Sequence, residues 1–180
     1  MNQMSDRLEL KKFIWTVDNF PIDGIIFRDI TSLIETPEAF VKTCDELTRI
    51  TKEFGASIVA SIESRGFIFA GTIARDLSLP FVLARKPGKL PNDTYKKSFD
   101  LEYGSTSIEI QKNTEIKPNQ KIVIVDDLVA TGGSILATKR LVEKTGASVL
   151  GVSTIIDLKY VRESSLHIDM AYLARVTNNV

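Results

Sequence analysis

The chain has 180 residues, enough for one full-sized core, and 43% of them are hydrophobic, an ordinary share for a globular protein. Its 23 basic and 23 acidic residues cancel, which argues against binding nucleic acid through bulk charge. A single cysteine, Cys44, excludes an intramolecular disulfide, a single histidine leaves no metal-ligand cluster, and no apolar run approaches the length of a membrane span.

Met1–Lys12 is charged and lacks the apolar stretch of an export signal, so the cytoplasm is the expected setting. Ser5–Phe13 reads as a short amphipathic helix. Phe20-Pro21 and Asp23-Gly24 mark turns ahead of an apolar segment, Ile25–Phe27. Thr36-Pro37 reads as an N-cap followed by proline at the first helical position, opening a helix that runs to about Phe54 and stops at Gly55. Cys44 falls inside that helix and is expected to pack rather than react. Ser57–Ile62 reads as a strand, Gly66–Leu77 as a helix and Leu79–Ala84 as a strand. The pattern then breaks into Pro, Gly, Lys, Asn and Asp up to Ser105, a stretch long enough to be either functional or a solvated surface hairpin. Ser107–Gln111 alternates like an edge strand. Lys121–Val125, Ala147–Ile156 and Ile168–Ala174 complete the strands, with a helix at Gly133–Lys144. Strands alternating with helices imply an α/β fold, a doubly wound and mostly parallel sheet, in one domain over residues 1–180. His167 is given no role.

Residues 122–134 carry the most chemistry. The β-branched run Ile122–Val125 fits a strand buried on both faces, which delivers Asp126 and Asp127 to the carboxyl edge where such sheets bind ligands. There the two carboxylates are placed to accept hydrogen bonds from ligand hydroxyls. The loop Val129, Ala130, Thr131, Gly132, Gly133, Ser134 follows, offering backbone N–H groups at a helix start, a ready anion site. Ribose 5-phosphate, with vicinal hydroxyls and a phosphate, satisfies both parts at once. The loop has neither the Walker spacing nor G-x-G-x-x-G. Taken singly, each feature fits a plain strand-to-helix turn capped by Ser134. The whole string in order argues against that.

This string resembles the phosphoribosyl pyrophosphate signature of the type I phosphoribosyltransferases. Four further segments narrow the resemblance to the adenine branch: Phe20–Ile30, Glu63–Phe67, Arg85–Pro91 and Leu101–Gly104. The resemblance implies the type I phosphoribosyltransferase fold, with a small N-terminal hood at about 1–35 and a flexible catalytic loop at about 86–106. It implies transfer of a phosphoribosyl group to adenine, releasing pyrophosphate. Mg²⁺ is the implied cation, held mainly by pyrophosphate and ribose hydroxyls rather than by protein ligands. The implied assembly is a homodimer with no nucleic-acid or membrane partner.

The same resemblance assigns residues. Glu102 assists proton transfer at the purine, Tyr103 beside it covers the reacting ribose or donates a hydrogen bond, and Arg65 joins them in catalysis. Ser64, Arg65, Arg85, Lys86 and Lys89 meet pyrophosphate, in part from the neighbouring subunit. Ile26, Phe27 and Arg28 hold adenine, with one backbone N–H and one C=O at Ile26 reading purine N1 and the exocyclic amine, and Phe27 and Leu158 sandwiching the ring. A cis peptide is expected between Glu63 and Ser64. Ser61 departs from the glycine common in the family and is expected to narrow the pyrophosphate approach slightly. Two rivals stand beside this reading. One is an enzyme for hypoxanthine, guanine or xanthine. The other is a non-catalytic regulator that senses phosphoribosyl pyrophosphate, which the short segment before Phe20 disfavours.

Overall fold

Strand β7 (Lys121–Val129) is buried on both faces, and the alternation of its side chains divides the protein into two cores. Val123 and Val125 point to one face, with Leu33, Leu47, Phe69 and Ile73. Ile122 and Ile124 point to the other, with Ile108, Ile110, Ile135 and Leu141. The computed structural model of the chain describes residues 10–100, 105–161 and 166–176.

Five parallel strands form the central sheet: β3 (Ile58–Ile62), β4 (Phe81–Ala84), β7, β8 (Ser148–Leu158) and β9 (Met170–Val176), in the spatial order β4-β3-β7-β8-β9. This is the doubly wound parallel sheet that the sequence predicts. On the first core lie α1 (Thr31–Glu35), α2 (Pro37–Glu53) and α3 (Gly66–Leu77). The second core is covered by α4 (Gly133–Glu143) and an antiparallel hairpin of β5 (Thr94–Asp100) and β6 (Ser105–Gln111). A second hairpin, β1 (Trp15–Asp18) with β2 (Ile26–Asp29), stands apart from the sheet. Among the described residues no helix is long and apolar enough to cross a membrane.

Local chemistry accounts for the boundaries. Pro37 opens α2 with φ preset and no N–H to lose. Thr36 does not cap it: its hydroxyl donates backward to the Ser32 carbonyl, 2.8 Å away, closing α1. Gly55, at φ +73°, follows the helix end. Cys44 is packed in the first core, and burial pushes its thiol up to about 11, so it stays protonated as a small apolar side chain.

Several elements differ from the sequence reading. Before Ile14, the described part of the expected Ser5–Phe13 helix is a 3-10 turn at Lys11–Phe13. Strand β1 and helix α1 were not expected. The stretch after Lys86 is not structureless, because β5 pairs β6 from Thr94↔Gln111 to Asp100↔Ser105. The central strand also runs past both aspartates, since β8 pairs it as far as Val129↔Asp157.

Candidate active site

The chain leaves β3 outward to β4, then returns to the other side of β3 as β7 and continues to β8 and β9. The strand order therefore reverses between β3 and β7, and ligands of open α/β sheets bind at the carboxyl ends beside such a reversal. Two segments meet there. Glu63, Ser64 and Arg65 follow β3 and lead into α3, with the Glu63–Ser64 peptide cis as the sequence reading expected. Asp126 and Asp127 come from β7.

Both aspartates are buried, at 8% and 5% exposure, which sets their electrostatics. Burial raises the Asp126 carboxyl well above the ordinary range, and the neighbouring Asp127 raises it further. Burial also raises Asp127, against the opposing pull of Arg65. Asp126 Oδ1 accepts the Asp127 N–H at 2.9 Å, and Arg65 Nη2 lies 2.8 Å from Asp127 Oδ2. The pair is thus short of hydrogen-bond donors and positive charge, which a polyhydroxyl ligand with a growing cation supplies.

A cavity of about 380 Å³ opens in front of the pair; Ser64, Arg65, Lys86, Asp126, Asp127 and Ser134, foreseen from the sequence, line it together with Ile62, Thr106 and Ile108, which were not. Gly132, the N-cap of α4, takes φ +92° with no side-chain cap of its own, and the first helical amide, of Gly133, makes only a long 3.4 Å hydrogen bond to Thr131 Oγ1. The positive φ is what calls for glycine at 132, since an added Cβ would meet only the movable side chain of Leu166, with Cδ2 at 2.6 Å. Ser134 lines the cavity rather than capping the helix. Val129 is 1% exposed and turns into the second core, so its contribution to the loop is its backbone.

A second cavity, of about 220 Å³, is lined by the four residues expected to hold the base, Ile26, Phe27, Arg28 and Leu158. Leu128, Ala130, Tyr160 and Val161 line it too; of these only Ala130 was singled out in the sequence, and for the phosphate loop. Arg28 is buried, its guanidinium donating to Thr16 of β1. Phe27 and Arg65 line both cavities. Arg65 spans them physically: its guanidinium carbon lies 5.1 Å from the Phe27 ring centroid and Nη1 donates to the Arg28 carbonyl at 3.4 Å.

Arg85, Lys89 and Ser61 stand back from the two cavities of this chain. Arg85 does not line either cavity: Nε donates to Glu63 Oε2 at 2.6 Å and Nη1 to the Lys89 carbonyl at 3.1 Å. It braces the segment that carries Lys86. Lys89 is exposed and also stands off both cavities. Ser61 does not narrow the approach, because it is 0% exposed and turned inward beneath α3. Glu102 and Tyr103 lie outside the described residues.

A buried acid pair, a glycine-bearing anion loop and an adjoining apolar cavity, all at one sheet reversal, define a phosphoribosyl-binding site of the type I class. The family model described as phosphoribosyl transferase domain matches residues 34–178. The adenine phosphoribosyltransferase of Petrotoga mobilis is 42% identical over 170 residues, covering 93% of this chain and 98% of that protein. Among solved structures, adenine phosphoribosyltransferase from Thermoanaerobacter pseudethanolicus superposes with a TM-score of 0.89 at 35% identity, over 94% of this chain and 99% of that one. The Saccharomyces cerevisiae enzyme, solved with an imino-altritol bisphosphate and adenine, gives 0.86 at 36% identity, over 94% and 99%. The chain belongs to the adenine phosphoribosyltransferase family.

Proposed function

We propose that the protein transfers the 5-phosphoribosyl group of 5-phosphoribosyl 1-pyrophosphate to adenine, forming AMP and pyrophosphate in purine salvage. The observation that carries the proposal is that the acid-pair cavity and the base cavity adjoin across Phe27 and Arg65. A sugar held in one thereby presents its anomeric carbon to a base held in the other.

Each part has a role in that reading. The amides of residues 130–134, with the hydroxyls of Thr131 and Ser134, anchor the 5-phosphate, a remote handle whose binding energy fixes the reacting carbon. Asp126 and Asp127 accept the ribose hydroxyls and stabilise positive charge as the bond from the anomeric carbon to pyrophosphate breaks. Ser64, Arg65 and Lys86 face the departing pyrophosphate. The mixed charge of this cavity, cations beside two carboxylates, fits a magnesium–pyrophosphate group; Mg²⁺ carried by the substrate would supply charge neutralisation of the leaving group. Purine N9 then bonds to the anomeric carbon and loses its proton. Glu102, carried by the closing loop at about 86–106 with Tyr103, is the assigned acceptor assisting that transfer, and loop closure excludes water from a cation that water would capture.

Base choice rests on the β2 backbone. An amino-purine shows donor and acceptor in the opposite order to an oxo-purine, so hypoxanthine leaves two backbone groups unpaired, at about 1–3 kcal/mol each. Lys89, exposed and away from its own cavity, fits a homodimer in which this residue of one subunit reaches the other's pyrophosphate. We place the dimer in the cytoplasm and treat residues 1–180 as one domain, hood and loop included.

The test is turnover of labelled adenine and hypoxanthine, side by side, with phosphoribosyl pyrophosphate and Mg²⁺. AMP should form, and adenine should be preferred on the order of 100-fold or more in kcat/KM. Preference for hypoxanthine would reassign the base, and absence of any nucleotide product would end the enzymatic reading.

A further inference from the structure

We infer that Ser61 is a positioning residue of the sugar site, its hydroxyl donating to Asp126 Oδ1 so that this carboxylate keeps one orientation toward the ribose. The inference rests on the functional reading above. It begins from an oddity: Ser61, 0% exposed at the end of β3, has a buried Oγ with no hydrogen-bond partner among the described residues. A hydroxyl sealed from water without an acceptor is costly, so such a group calls for one.

A strong acceptor stands close by, the Asp126 carboxylate. Residue Gly66, the first of α3, packs so closely that a Cβ there would lie 2.6 Å from Ser61 Oγ, 2.7 Å from Asp126 Oδ1 and 3.2 Å from Asp126 Cα. Hydroxyl and carboxylate oxygen therefore flank one point, and the missing Cβ leaves open the space between them. Parallel pairing explains the meeting: Ser61 stands opposite Val125, one residue ahead of Asp126. The inferred bond needs only a turn of the Ser61 hydroxyl toward Oδ1, and with the ionised acid it would be charge-assisted. The incentive for that turn rises when sugar binds, because the bound hydroxyls favour the ionised carboxylate.

The groups that bear on Asp126 are few. Asp127 adjoins it on β7 and disfavours its charge, Arg65 ahead of α3 favours it, and Thr154 is its neutral partner on β8. Both charged groups are already committed, Arg65 to Asp127 at 2.8 Å. Ser61 is thus placed to fix Oδ1 without competing for the substrate.

Ser61→Ala, Ser61→Gly and Ser61→Cys separate this role from packing. Calorimetric binding of ribose 5-phosphate and the KM for phosphoribosyl pyrophosphate should each weaken about five- to tenfold in the alanine and glycine variants, less than the full worth of a charge-assisted hydrogen bond because Ser61 acts on the sugar only through Asp126. The cysteine variant, a weaker donor, should fall between. The KM for adenine should not move, and the acid limb of the pH profile should shift to higher pH, since a lost donor favours the protonated acid. Sugar-phosphate binding within twofold of the wild type, or equal losses for adenine, would overturn the assignment. Wild-type protein that forms no AMP would defeat the functional reading, while ribose 5-phosphate binding would still decide Ser61.

Discussion

Asp126→Asn is expected to lower kcat/KM for phosphoribosyl pyrophosphate by about 10²–10³-fold while making the protein more heat-stable at neutral pH. Asparagine keeps the side-chain oxygen that accepts the Asp127 N–H at 2.9 Å, so local structure should persist. What it removes is a negative charge that the folded protein holds at a cost. Asp126 is 8% exposed, beside a second buried carboxyl, and burial lifts its native pKa well above 3.8. The sign follows from linkage. Below about 3.8 the carboxyl is protonated folded or unfolded, and wild type and variant should melt alike. As pH rises towards the elevated native value, the unfolded chain ionises freely and the native state does not, so wild-type stability falls. Above the native value the deficit is constant. The melting difference should therefore open with rising pH and then level, at about 2–4 °C for each kcal/mol involved. Melts at pH 4 and pH 8, with initial rates at pH 8, check both halves. A variant less stable than wild type at pH 8 would mean that the charge is compensated in the empty site.

The second large effect is expected at Arg65. Its guanidinium touches Asp127, the Arg28 carbonyl and the Phe27 ring, so one side chain borders all the regions proposed for sugar, pyrophosphate and base. Arg65→Ala should lower kcat/KM about 10³-fold and raise the KM of both substrates. It also removes the cation that opposes the rise of Asp127, so the acid limb of the pH profile should move to higher pH. Arg65→Lys keeps the charge and loses the planar fork, and should recover only part of the activity. Lys86→Ala is the internal comparison. Lys86 lines the pyrophosphate cavity alone, so its loss should spare adenine KM. An Arg65→Ala enzyme with normal adenine KM would show that the contact with the base cavity carries no binding.

What the sequence made legible follows from where burial imposes a pattern. Helix Gly66–Leu77 is foreseen residue for residue because Phe69, Ala70, Ile73 and Ala74 repeat on one buried face. Strand β1 is invisible because Trp15–Asp18 is exposed throughout and no face is selected. Strand β5 hides for a related reason, with Lys96, Lys97 and Ser98 giving its pairing with β6 no apolar run. The site divides the same way. The acid pair and glycine loop are contiguous, so their string is readable. Leu158 was reached through family likeness, whereas Tyr160 and Val161 arrive at the base cavity through the turn after β8, which no local pattern announces. Arg85 illustrates the limit for charge: a basic cluster on paper becomes, in three dimensions, a brace between Glu63 and Lys89.

A crystal structure of the protein with AMP tests the central claim most directly. It should show both ribose hydroxyls at hydrogen-bond distance, about 2.6–3.2 Å, from Asp126 and Asp127, the phosphate on the amides of residues 130–134, and the base between Phe27 and Leu158. AMP bound with its sugar away from the two aspartates, or its phosphate off that loop, would contradict the account.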